Sequence, residues 1–155
     1  MWQPRGSWSG IIRVLSCPSS CEGPETNLKP ARMKDCIFCE VTAQEIVIDH
    51  TLCFARWDRY PVSPGHLLVI PKRHYASVFE ATAEEFSALW DVIGQAKELI
   101  EKAHRPDGYN IGVNVGQAGG QSVFHVHLHV IPRYRGDVEN PLGGVRGVIP
   151  LKQRY

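Results

Sequence analysis

Three histidines alternate with apolar residues in His125-Val126-His127-Leu128-His129-Val130-Ile131. On an extended strand, successive side chains point to opposite faces. His125, His127 and His129 then share one face, and Val126, Leu128 and Val130 share the other. The histidine face would span roughly 13 Å, two strand repeats. Imidazoles this close suit a metal ion or an anion such as phosphate. A metal reading asks for acidic side chains beside the histidines, as further ligands or as a base. Asp137 and Glu139 follow the run, but the segment entering it is Gly116-Gln117-Ala118-Gly119-Gly120-Gln121-Ser122. Glycines let backbone N–H groups converge on an oxyanion. Gln121 and Ser122 add side-chain donors. Phosphate is therefore the favoured partner. A neutral histidine with the ordinary pKa of about 6.5 is a competent nucleophile at pH 7. Its attack on phosphorus would give a phospho- or nucleotidyl-imidazole that water hydrolyses. Neighbouring imidazoles and backbone donors would stabilise the equatorial oxygens without a catalytic metal.

A second candidate is Cys36-Ile37-Phe38-Cys39. Two thiolates at this spacing clamp one metal ion from a tight turn but supply only half of a tetrahedral site. Two buried cysteines acting as small hydrophobes are the plainer alternative. A redox pair is less favoured because no βαβ pattern follows. Cys17 and Cys21 have no further cysteine or histidine between them and Cys36, so they are weak metal candidates. The cysteine count is five, an odd number, which argues against a disulfide framework.

These residues need a scaffold. The chain of 155 residues is about one domain long. A net charge of +1 gives no basic excess for a nucleic-acid partner. No apolar run approaches the ~18 residues of a membrane span, and Ile11-Ile12-Arg13-Val14-Leu15 is too short and too charged for a secretory segment. Cytoplasmic location is the default expectation. Twelve of residues 1–32 are Gly, Pro or Ser, without periodicity. This stretch reads as a disordered extension, with Met33 an alternative start and a single domain over 33–155 (core 34–137, tail 138–155).

Ile46–Ile48 and Leu52–Ala55 read as strands joined at Asp49-His50. Asp58–Gly65 is a proline-fixed loop, and His66–Pro71 is an apolar strand. Thr82-Ala83-Glu84-Glu85 is a capping box that opens a helix. Its apolar stripe is Phe86, Leu89, Trp90, Ile93, Lys97 and Ile100, and it ends at His104 before Pro106. Phe86 and Trp90 are expected in core or dimer packing. Tyr109–Val115 is a further strand. Strands, one long helix, then strands is an α+β order with a mostly antiparallel sheet.

The run His125–Ile131 resembles the signature of the histidine triad (HIT) family, in which histidines alternate with apolar residues. Cys36–Cys39, Pro64–His74, Asn114 and Ala118–Phe124 also resemble family segments, in family order over most of 34–137. The resemblance implies a five-stranded antiparallel sheet with one long helix and a short one, dimerising into a continuous sheet. It implies a nucleotide hydrolase or transferase that cleaves a substituent from the α-phosphate of a dinucleoside polyphosphate or nucleoside phosphoramidate. His127 would be the nucleophile forming a nucleotidyl intermediate. His129 and His66 would lie at the same phosphate. Asn114, Gln121 and Ser122 would hold the phosphate and leaving group, Ser122 assisting proton transfer. Asp58 would bind ribose, while Ile37, Phe38 and Trp57 would line the base pocket. Cys36, Cys39, His74 and His125 would hold a structural zinc. On this last point the two readings differ, because alternation alone puts His125 with the catalytic face. Arg133, Arg135 and Arg146 are candidates for a second phosphate group, or solvated surface charge. A nucleotide- or partner-binding protein with little turnover is the alternative function, and a metal-dependent hydrolase using the triad as ligands is a third.

Overall fold

The computed structural model describes residues 35–153. The expectations for residues 1–32, Cys17, Cys21 and Met33 fall outside them. Five strands form one antiparallel sheet: β1 (Ile48–Asp49), β2 (Cys53–Trp57), β3 (Leu67–Pro71), β4 (Gly108–Val113) and β5 (Leu128–Arg133). Their spatial order is β1-β2-β3-β5-β4, with every neighbouring pair antiparallel. One long helix, α1 (Ala83–His104), joins β3 to β4. Among the described residues the shorter helical pieces are 3-10 turns, at Ala43–Glu45, Val78–Glu80, Gln117–Gly119 and Gly144–Val148. No helix there is long and apolar enough to cross a membrane.

The helix starts and stops where its sequence says. The Thr82 hydroxyl accepts from the Glu85 N–H at 3.2 Å, and the Glu85 carboxylate accepts from the Thr82 N–H at 2.9 Å. At the far end Arg105 takes a left-handed conformation with φ 49°, and its N–H still reaches the Glu101 carbonyl. Pro106 cannot continue the ladder. Leu89, Val92, Ile93 and Ile100 are buried against Ala55, Leu67, Val69, Val126, Leu128 and Val130 of the sheet. Each such side chain contributes roughly 1.5–3 kcal/mol of burial. Phe86 and Trp90 lie on the rim of this stripe, 47% and 48% exposed, and stack edge to face on each other. Ala88, Val92 and Ala96 take the buried positions instead, so the apolar stripe is rotated from the expected one.

Alternation along the strands splits the sheet into two faces. Cys53, Ala55, Leu67 and Val69 belong to the helix-side core. Phe54, Leu68 and Ile70 join Cys36 and Phe38 in a second cluster on the other face. The functional side chains lie on that second face. Gly65, at φ 81°, turns the chain into β3 where a Cβ would meet the His104 ring at 2.8 Å.

Only the last part of the histidine run is regular strand. The β3–β5 ladder stops at Val69 opposite Leu128, so His125, Val126 and His127 precede it. Those three residues are fixed by single bonds. The Val126 N–H donates to the Tyr75 carbonyl at 2.8 Å, and His125 Nε2 donates to the Pro71 carbonyl at 2.8 Å. Alternation survives nonetheless, with Val126, Leu128 and Val130 all in the helix-side core.

Candidate functional site

The three histidines do not converge on one point. His125 is fully buried, and with Nε2 tied to the Pro71 carbonyl its Nδ1 faces two thiols, Cys36 Sγ at 3.4 Å and Cys39 Sγ at 3.5 Å. His74 Nδ1 lies 3.2 Å from Cys39 Sγ. One donor atom from each of Cys36, Cys39, His74 and His125 lies within 4.8 Å of the other three. The Cys36–Cys39 turn closes through a bond from the Cys39 N–H to the Cys36 carbonyl. Two thiols and two imidazoles make a closed tetrahedral donor set of the zinc type. The carbonyl behind His125 fixes its ring as outer partners of zinc ligands do. The thiol of Cys39 is pushed up to about 11, by burial first and then by Cys36. A divalent cation is what would hold both sulfurs as thiolates.

The other two histidines face a cleft. His127 Nδ1 donates to the His125 carbonyl at 2.9 Å. A carbonyl only accepts, so the proton sits on Nδ1 and Nε2 is the nitrogen left for the cleft. His129 is oriented in the opposite sense. The Val62 N–H donates to His66 Nδ1 at 3.3 Å, so the His66 proton sits on Nε2. That nitrogen lies 3.0 Å from His129 Nδ1, which must then accept, leaving His129 Nε2–H as a donor. Asp58 Oδ2 lies 3.4 Å from His66 Nδ1 as a charged neighbour. Burial pushes His66 below its ordinary range, against the pull of Asp58. Burial, then His127 and His66, push His129 down to about 4. Both rings are therefore neutral at pH 7. Phe38 packs against the His127 ring at 5.0 Å and the His125 ring at 6.0 Å, separating the two regions.

The cleft has two chambers. One, of about 290 Å³, is lined by His127, His129, Ser122, Asp58, Ile37 and Phe38, together with Arg56, Arg59, Tyr60, Leu68 and Val123. The second, of about 330 Å³, is lined by His66, His129, Asn114, Gly112 and apolar side chains that include Val145 and Val148 of the tail. His129 borders both.

The structure brings twelve of the fourteen expected site residues to the cleft or the sulfur corner, and revises the other two, Trp57 and Gln121. Asn114 is part of the second chamber and not the first. Trp57 is absent from both. It packs against the helix-side core and edge-on against the His104 ring at 5.9 Å. The reason is the two-residue repeat of β2: with Asp58 on the cleft face, Trp57 must face the helix and Arg56 the cleft. Alternation counted back from Asp58 would have found Arg56. Gln121 is the other revision. It is buried, and its amide is spent on backbone: Oε1 accepts from the Gly116 N–H at 2.8 Å, and Nε2 donates to the carbonyls of Ala76 at 2.8 Å and Val123 at 3.1 Å. It shapes the glycine loop. Ser122, next to it, is exposed on the cleft. Of the arginines named for a second phosphate, Arg133 is committed to Asp137 through two bonds of 2.6 and 2.8 Å and also donates to Asn110.

The HIT domain model matches residues 40–136. Adenylylsulfatase HINT3 of Arabidopsis thaliana is 33% identical over 138 residues, covering 86% of this chain and 70% of that protein. Bis(5'-adenosyl)-triphosphatase of Dictyostelium discoideum is 39% identical over 100 residues, covering 64% of this chain and 67% of that one. Among solved structures, a zinc-bound histidine triad family protein from Mycobacterium smegmatis matches with TM-score 0.62 at 30% identity, covering 70% of this chain and 82% of that one. Both named relatives carry the names of nucleotide-cleaving enzymes. The sheet order, the paired use of the triad and a family match over more than half of the chain agree: this protein belongs to the HIT domain family.

Proposed function

We propose that the chain is a nucleotide hydrolase or transferase that cleaves a substituent from the α-phosphate of a dinucleoside polyphosphate or nucleoside phosphoramidate. The observation that carries this reading is the anchoring of two adjacent rings, His127 Nδ1 on the His125 carbonyl and His129 Nδ1 on His66 Nε2, from which opposite proton placement is inferred. His127 offers a lone pair, and His129 offers an N–H. A nucleophile beside a donor is what displacement at phosphorus needs.

In this reading the nucleoside lies in the first chamber, with Asp58 at the ribose and Ile37 and Phe38 at the base. The leaving group lies in the second, beside Asn114. His127 Nε2 attacks the α-phosphorus, the bond from phosphorus to the leaving group breaks, and a nucleotidyl-His127 intermediate forms. The imidazolium charge on His127 is shared with the His125 carbonyl. His129 Nε2–H donates to a phosphate oxygen, and His66 holds His129 in that tautomer. Ser122 lines the first chamber with His127 and His129, where its hydroxyl assists proton transfer at the phosphate. Water then attacks phosphorus and frees His127. The proton placement that supports this route asks for no metal at the phosphate. Cys36, Cys39, His74 and His125 would hold zinc, which supplies a cross-link between the Cys36–Cys39 turn and the histidine run. A homodimer with a continuous sheet fits the open edge of β4 and the half-exposed Phe86–Trp90 pair.

The test is turnover of an adenosine or guanosine phosphoramidate and a diadenosine polyphosphate in the presence of chelator. Nucleoside monophosphate should be released by the native protein, and a nucleotidyl adduct should be trapped by acid quench. Unchanged release by His127→Ala would refute the nucleophile. Tight nucleotide binding without release would favour the binding-protein reading.

A further inference from the structure

The first chamber has an unusual end. Arg56 is 4% exposed, on the cleft face of β2. Across the sheet it stands opposite Leu68, and Leu68 stands opposite His129. Arg56 is therefore two strand spacings, about 9.6 Å, from the phosphate end. Leu68 lies between them, and Phe38 and Ile37 line the same chamber, giving it apolar walls suited to a flat ring. The guanidinium pairs with Glu45 through Nη2 at 3.0 Å, and Nε makes a long 3.4 Å bond to the Trp57 carbonyl. Those contacts take the Nε hydrogen and one hydrogen of Nη2, which leaves both Nη1 hydrogens and the second Nη2 hydrogen as donors. Arg59 takes the same Glu45 oxygen at 2.6 Å. Two guanidiniums thus share one carboxylate, and the far end of the slot keeps a positive charge.

We propose that Arg56 reads the base, so that the chamber selects a nucleotide whose base presents two acceptors on one edge, a 6-oxopurine such as guanine, over adenine. This rests on the nucleotide reading above. A guanidinium has donors only. Guanine offers O6 and N7 side by side, whereas adenine places an amino donor beside N7. The amino group of adenine would meet the guanidinium donor to donor, inside a pocket where an unpaired donor is costly. A second acidic side chain at this end would have relaxed the choice, but among the described residues lining the chamber Asp58 is the only carboxylate, and it stands at the phosphate end beside His66.

The experiment is calorimetric titration of the full chain with GMP, AMP and 7-deaza-GMP, on the native protein, Arg56→Met and Arg59→Ala. Native protein should bind GMP roughly tenfold more tightly than AMP. It should bind 7-deaza-GMP, which lacks the N7 acceptor, several-fold more weakly than GMP. Arg56→Met should bring the GMP to AMP ratio close to one, while Arg59→Ala leaves the preference in place. Glu45 keeps Arg59 as a partner in the Arg56 variant. Should that variant fail to fold, the three ligands on native protein still decide. Equal affinity for GMP and AMP, or for GMP and its 7-deaza analogue, overturns the assignment of Arg56 while leaving the nucleotide reading intact. Failure of all three ligands to bind removes both.

Discussion

His125 and His127 are two residues apart, and the structure gives them opposite surroundings. The ring of His125 is anchored by Nε2 on a carbonyl and turns Nδ1 toward sulfur. The ring of His127 is anchored by Nδ1 on a carbonyl and turns Nε2 toward the cleft. What an imidazole does here is set by which nitrogen the backbone takes, because the other is all that remains for chemistry. The sulfur corner gathers four donor atoms on one point, as a structural cation requires. In the cleft His66 Nε2 meets His129 Nδ1 at 3.0 Å beside Asp58, and His127 lines the open chamber.

The largest expected effect separates the two regions by activity. His127→Ala should lower turnover of a nucleoside phosphoramidate by on the order of 10⁴-fold or more with the folding transition unchanged. Comparable loss of both activity and fold would erase the distinction between the two regions. Cys36→Ser should act the other way. Metal content should fall from near one zinc per chain, and the melting temperature should drop by about 10 °C or more, since binding of a structural ion adds to folding free energy. Native protein purified without zinc and equally stable would show that the sulfur corner holds no structural metal. His66→Ala should fall between them, costing roughly 10²-fold in kcat because His129 loses the partner that fixes its donor tautomer. A substitution that changed KM alone would place His66 in binding only. Trp57→Ala should destabilise the fold by ~3 kcal/mol with nucleotide affinity preserved, as a helix-side residue would. Weakened nucleotide binding in the folded variant would return Trp57 to the cleft.

The smallest effect concerns the frame that both regions share. Arg73 holds the Glu85 carboxyl below the ordinary carboxylate range, through bonds of 2.7 and 2.8 Å. A depressed folded-state pKa contributes stability above the unfolded value, near 4.3, and loses it as pH falls through the folded one. Glu85→Gln should therefore melt ~3 °C lower at pH 7, with the difference closing below about pH 4. A gap that stayed constant down to pH 2 would assign the loss to the helix cap alone.

Much of this was legible in the chain. Thr82 with Glu85, and Arg105 before Pro106, mark both ends of α1 because caps depend on local chemistry. Val126, Leu128 and Val130 show their face because a two-residue repeat has only two choices. Other features needed the fold. Phe86 and Trp90 fit a helical stripe, but which part of the stripe meets the sheet depends on the angle at which α1 lies across β2 and β3. Gln121 looks like a phosphate donor until the Gly116 N–H and the Ala76 carbonyl are placed around it. Arg56 is a charged residue beside an aromatic one, and only the face that it shares with Asp58 sets it in the cleft in place of Trp57.

The sequence by itself determined the ligand types, the alternation and the order of elements, because these follow from residue identity and short spacing. The tertiary structure decided which nitrogen of each histidine is free. That choice depends on the Pro71 carbonyl for His125, on the His125 carbonyl for His127, and for His129 on His66, itself fixed by the Val62 N–H, so that two of the three rings are set by distant parts of the chain.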